Sequence, residues 1–475
     1  MQTTRMLKIV EGEPFLLLVL VLLSAALGAT ASLLHPLLAL VLLLLLGLAI
    51  IFFRHWPLGA SGLMLLATVL DRYNYELAGR TIKIEYVVVV ALWGLLLARQ
   101  FLKGESKFYL SLTALFTLGW LGSNFLSSCI SPRPSATAIN DLIRLSLMVA
   151  IFLILPNLIQ TEKHLKQVFA LFLIVGIMES IFGLSALTLH YATGVNLGVT
   201  HIPSYPGPVP YGTLNASNIF GSYTMSVSLV FLALLLSPPS RSLFPGRWIL
   251  RGFLITLAAM ISSLARGAWL GFAVAAAFFF IIHRGFDRFW LKRVFLVGVI
   301  FAMALLSVTA VVYLLPKDIP LIDRLASFAR LGSERTVVGR IAKYDLAISA
   351  WRERPLLGWG TGGMARVFGR ERKVLAWVGN LEIHLLIDTG LVGLIVFALF
   401  VAALLFRAAS ALRKTQGSPF AAMLLSLIIG YIGILVAYQS TDATWLGLFW
   451  THTGLLAAAT RVIKMRVQSR SELLI

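Results

Sequence analysis

The chain has 475 residues, 59% of them hydrophobic and 13% charged, where a soluble globular protein carries about a quarter charged residues. With a mean hydropathy of +0.89, this balance excludes a soluble enzyme and a disordered chain, and it points to the bilayer. Lys and Arg outnumber Asp and Glu by 40 to 20, a net charge of +20; no nucleic-acid-reading motif accompanies the excess, so it bears on membrane orientation instead.

Apolar runs of spanning length are expected at 14–34, 36–53, 57–70, 84–102, 108–130, 138–160 and 164–190 in the first half. They continue at 217–237, 248–265, 267–283, 293–315, 383–406, 419–439 and 443–461. Residues 57–70 are the weakest of these, short for a crossing that needs roughly 20 residues, with a re-entrant or tilted piece as the alternative. The expected fold is therefore all-α, a polytopic transmembrane helix bundle of about 12–14 spans. Ala29-Thr30-Ala31 resembles a signal-peptidase site, but the long apolar stretch around it favours an uncleaved first helix. Cys129 is the one cysteine, which excludes an intramolecular disulfide and a cysteine-based metal site.

Basic residues sort the connections. With the N-terminus inside, the inside segments hold 22 Lys and Arg and the short outside loops hold 5, which predicts both termini in the cytoplasm. Four parts follow: N-terminal helices over 1–210, central helices over 211–316, a large outer loop over 317–382, and C-terminal helices with a short tail over 383–475.

Two outside segments are not plain connectors. Residues 190–217 contain Pro203, Pro206, Pro208, Pro210, Gly207 and Gly212 but no Lys, Arg, Asp or Glu. The loop also carries Tyr191, Tyr205 and Tyr211, and Tyr211 is a candidate substrate contact. In the 317–382 loop the pattern predicts a helix from Thr336 to Arg354, ended by Pro355 and followed by a Gly-rich turn, Gly358 to Gly363.

Ionisable groups at a membrane edge are functional candidates by default. Arg266 stands between two apolar runs with almost no loop around it; it either serves chemistry or snorkels and caps the preceding helix. Arg340 opens the expected outer helix, where a guanidinium suits bidentate phosphate binding, or else lies on a solvated face. His384 begins the next span and can act as a general base, or bond a backbone carbonyl. Asp388 lies one turn on from it and can orient the ring, and Glu382 flanks it. There is no HExxH, DxD or Walker motif, so neither a metal nor a nucleotide cofactor is expected. Group transfer then draws on an already activated substrate, such as a lipid-diphosphate sugar, whose leaving charge cationic side chains can carry.

Three segments resemble one family. Ser262–Gly271 (SSLARGAWLG), Arg340–Gly363 (RIAKYDLAISAWRERPLLGWGTGG) and Asn380–Gly393 (NLEIHLLIDTGLVG) stand in the order and spacing of the motifs of the O-antigen ligase and polymerase superfamily, bacterial polytopic glycosyltransferases. Asn218 matches a weaker element before a span. The resemblance implies transfer of a glycan from an undecaprenyl-diphosphate donor to a glycan, lipid or protein acceptor, at the outer face of the bacterial cytoplasmic membrane and without a metal. It implies diphosphate-binding roles for Arg266 and Arg340, and substrate contacts for Asn218, Asn380, Glu382 and Asp388. The chain departs from the family where a base is expected: Gly379 occupies the histidine position, and His384 follows five residues later. His384 then substitutes, or Glu382 or Asp388 acts as base, or the acceptor needs none. A transporter of a small anion and a non-catalytic scaffold are the competing readings.

Overall fold

The computed structural model describes residues 56–77, 80–103, 108–133, 138–202, 207–237, 243–282, 335–369, 377–415, 418–442 and 444–472. The spans expected at 14–34, 36–53 and 293–315 lie outside the described residues. The other eleven expected spans each form a helix: α1 (Trp56–Val69), α2 (Ile84–Lys103), α3 (Leu112–Cys129), α4 (Ala138–Leu158), α5 (Glu162–Thr193), α6 (Ser217–Leu236), α7 (Gly246–Ser262), α8 (Arg266–Ile282), α11 (Leu381–Lys414), α12 (Pro419–Ala437) and α13 (Gly447–Glu472). Between α8 and α11 lie α9 (Arg335–Glu353) and α10 (Gly363–Phe368). The protein is a polytopic all-α membrane protein. Five described helices, α4, α5, α6, α11 and α12, are each long and apolar enough to cross a bilayer, and Pro57–Val69, Ile84–Leu97 and Arg266–Ile281 form shorter apolar stretches.

The centre of the bundle is α6 packed between α7, α8 and α12. In α6, 89% of the most apolar stretch is buried, and in α12 83%. The figure for α11 is 33%, so this helix lies at the periphery. Apolar side chains such as Ile395, Leu399 and Phe406 are exposed on it, and Ile281 is exposed on α8, a surface that lipid accepts and water would not. Three hydroxyls inside α6 bond back to carbonyls a turn earlier, Ser222 to Asn218 at 2.8 Å, Thr224 to Phe220 at 2.8 Å and Ser226 to Tyr223 at 2.8 Å, and so enter the core satisfied.

Two small hairpins interrupt the helices: β1 (Asn74–Leu77) with β2 (Arg80–Lys83), and β3 (Val199–His201) with β4 (Pro208–Pro210). The second forms within the proline segment, expected only as a loop. Prolines enter a two-stranded ribbon because both strands are edges that need no complete ladder. All of these turns, with α9 and α10, gather at one end of the bundle.

The most irregular point is a break in α11. Gly390 has φ 62° and ψ −160°, a conformation essentially reserved for glycine. Into this break fits the turn that follows α9. The Trp359 and Gly360 N–H groups donate to the carbonyls of Ile387 and Asp388, each at 2.8 Å. In return the Leu391 and Val392 N–H groups donate to Pro355 and Leu356 at 2.9 and 3.1 Å. The amides freed by breaking a membrane helix are thus satisfied by protein, as a low-dielectric setting demands. The helix expected from Thr336 to Arg354 runs from Arg335 to Glu353 and does stop before Pro355. A small core of Ala347, Ala350, Trp359, Met364, Val378 and Ile387 holds α9 and α10 on α11.

Candidate functional site

The turn between α12 and α13 organises this end. The Leu381 N–H donates to the carbonyl of Tyr438 at 3.0 Å. The Asn380 amide donates to the carbonyl of Gln439 at 3.1 Å, and the Gln439 amide donates to Glu382 Oε1 at 2.7 Å. The Asn218 amide donates to Thr441 Oγ1 at 3.2 Å. Residues from α6 and α11, far apart in sequence, therefore meet on one short segment, 438–442. Asn380 also caps α11, its side chain accepting from the Ile383 N–H at 3.0 Å.

His384 sits between two carboxylates. Its Nε2 lies 3.0 Å from Asp388 Oδ2, and its Nδ1 pairs with Asp442. Asp388 is buried and saturated: Gly362 and Gly363 N–H groups donate to its two oxygens at 3.0 and 2.8 Å. These amides belong to the first turn of α10, where a negative charge is favoured. Asp442 Oδ1 accepts from the Thr444 hydroxyl at 2.9 Å. A carboxylate only accepts hydrogen bonds, so two such contacts on one imidazole require both ring nitrogens to donate, or a proton on one carboxyl. To take a proton from a substrate, His384 must exchange one of these contacts for the substrate hydroxyl.

Trp445 stacks on His384, ring centroids 5.7 Å apart at 22°. Arg144 of α4 holds Trp445 from below, donating to its carbonyl at 3.2 Å with the guanidinium 5.8 Å from its ring. Trp377, 47% exposed, meets Trp445 edge-on at 6.4 Å. An imidazole fixed by two acids and an indole is held in one orientation, as general acid–base chemistry requires.

The two helices that carry the arginines reach this turn. Arg266 is the first residue of α8, and a Cβ on the next residue, Gly267, would collide with the side chain of Ser440. Arg340 lies one turn before Tyr344 on α9, and the Tyr344 hydroxyl donates to the carbonyl of Gly379 at 3.3 Å. Gly379 in turn borders the Ser440 carbonyl, 3.9 Å from where its Cβ would be. Burial, and then the neighbouring Arg340, hold the Lys343 ammonium below its ordinary range. Burial raises the Tyr344 phenol, and Arg340 opposes the rise. This face of α9 is strongly cationic.

Of the residues singled out in the sequence, Asn218, Asn380, Glu382, His384 and Asp388 are thus brought together, with Arg266 and Arg340 on the segments that border them. Tyr211 is held elsewhere. It is buried, its ring covered by the Arg72 guanidinium at 4.1 Å, and its N–H donates to Gly198 at 2.9 Å. The sequence reading missed Asp442, Trp445 and the anchoring role of Arg144. Asp442 carried a signal: it is an acid in the three-residue polar gap between the apolar runs 419–439 and 443–461.

Residues 252–398 match the family model described as O-antigen ligase. No curated protein matches the chain. The matched segment contains Arg266, Arg340, His384, Asp388 and the Gly390 break, while Asn218 and Asp442 fall outside it. Over this segment, somewhat under a third of its length, the chain is similar to the O-antigen ligase family.

Proposed function

We propose that the protein is a glycosyltransferase that transfers or polymerises glycan from an undecaprenyl-diphosphate-linked donor onto an acceptor hydroxyl, in surface polysaccharide assembly. The observation that carries this reading is the family match, together with the meeting of its motif residues on the 438–442 turn. The acceptor oxygen bonds to the anomeric carbon, the bond from that carbon to the diphosphate breaks, and undecaprenyl diphosphate departs with the electron pair. Arg266 and Arg340 neutralise its developing charge. His384 receives the acceptor proton, with Asp442 and Asp388 fixing the ring. Asn218, Asn380 and Glu382 line the approach.

The reaction belongs at the outer face of the cytoplasmic membrane. The end opposite the site bears Lys163, Lys166, Arg247, Arg413, Lys414, Lys464 and Arg466 on the helix termini of α5, α7, α11 and α13. By the positive-inside rule that end is cytoplasmic. The purified protein in liposomes should transfer glycan from an undecaprenyl-diphosphate donor to an added acceptor, equally well with EDTA present. Flux of a small anion without any transfer would replace this reading by a transporter, and loss of transfer in EDTA would remove its metal independence.

Asp442→Asn tests the proton-handling part. The amide presents an N–H to His384 Nδ1 in one orientation, and removes a charge in either. Transfer should fall on the order of 100-fold, the low end of what a general base contributes, with a displaced pH profile and unchanged donor binding. An unaltered profile removes His384 and Asp442 from the chemistry.

A further inference from the structure

A second cluster of chemistry lies outside the family match and away from the 438–442 turn. His190 is in the last turn of α5, and His201 ends β3. Their Nε2 atoms face each other at 3.3 Å, with the rings 5.1 Å apart and inclined at 64°. Two Zn–N bonds of about 2.0–2.1 Å meeting at a tetrahedral angle hold their nitrogens about 3.3–3.4 Å apart. The observed separation is therefore that of two imidazoles ready to share one ion.

The surroundings favour this. His201 is exposed and His190 half-buried, so an ion has an entry path. His190 Nδ1 is buried with no hydrogen-bond partner among the described residues, which leaves Nε2 as its outward nitrogen. The two segments that carry the rings are also tied to each other. The β3–β4 hairpin is tied to α5 through Glu179, which accepts from the Thr213 N–H at 2.8 Å and the Thr213 hydroxyl at 2.6 Å. The Tyr211 and Gly212 N–H groups both donate to Gly198, at 2.9 and 3.1 Å. Preorganisation of this kind separates a metal site from a chance approach of two side chains.

We propose that His190 and His201 form a two-ligand site for a borderline divalent transition metal ion of the Zn²⁺ and Cu²⁺ class, the remaining positions being filled by water. The ion would clasp the hairpin to the end of α5. This inference does not depend on the transfer reaction.

The test uses the full chain purified on a tag without histidine and stripped with EDTA. Calorimetric titration with Zn²⁺ should show one equivalent bound, together with a raised thermal midpoint. Both should be lost in His190→Ala and in His201→Ala and kept in His164→Ala. Should the alanine variants fold poorly, Cu²⁺ bound to the wild type should show two equivalent imidazole nitrogens by electron paramagnetic resonance. Absence of one-equivalent binding, binding unchanged in both variants, or a Cu²⁺ signal without two nitrogens would each overturn the proposal, and leave a plain N–H···N hydrogen bond. Glycan transfer should be the same in both variants as in the wild type.

Discussion

Arg266→Ala should reduce glycan transfer by about 100- to 1,000-fold, the usual cost of deleting one group that stabilises charge in a transition state, while the protein still inserts and folds. The residue opens α8 beside the Gly267–Ser440 contact. Arg266→Lys should recover only part of the loss. An ammonium supplies the charge but not the planar pair of donors that matches a phosphate. The measurement is transfer from the lipid-linked donor by purified variants, normalised to folded protein. Activity at the wild-type level in Arg266→Ala would end the proposed role of this residue. Equal activity in the lysine and wild-type proteins would reduce that role to a point charge.

Gly390→Ala should destabilise the protein by about 3 kcal/mol or more, from a positive φ imposed on a side chain and from overlap with a rigid neighbour. The new Cβ falls on the backbone of Leu356 and Leu357, atoms that cannot turn aside as a flexible side chain can. The reciprocal bonds between 355–360 and 387–392 then separate together. The expected observation is a large fall in thermal midpoint, or loss of folded protein from detergent extracts. Gly122→Ala is the control. Its Cβ meets nothing within 4 Å, and alanine is the better helix former, so that variant should be at least as stable as the wild type. A near-native midpoint for Gly390→Ala would mean that the break in α11 is not required.

The helices were legible because each crossing needs a long run of apolar residues, and such runs are hard to mistake. The stop of α9 was legible because Pro355 cannot continue a helix. The hairpins were not. Strands of three or four residues are too short to show an alternating pattern, and the prolines of 203–210 argue locally for a loop. The glycines and Asp388 were recognisable as members of a motif, but their reason was not. Gly358, Gly363 and Gly390 are small because two backbones 24 to 34 residues apart press together there, with Asp388 bonded to the amides of Gly362 and Gly363. Asp442 was visible as an acid between two apolar runs, but its partner was not. Its partner His384 is 58 residues earlier, and no local spacing relates the two.

That pairing has a consequence for how the protein comes into being. A ribosome releases Arg266, Arg340 and His384 into the membrane well before it has made Asp442 and Trp445. A chain stalled or cleaved in the connection before α12 therefore carries the arginines and the imidazole, but lacks the acid and the indole beside it. On the proposed function, incomplete copies lack the group that orients the base and carry out no transfer.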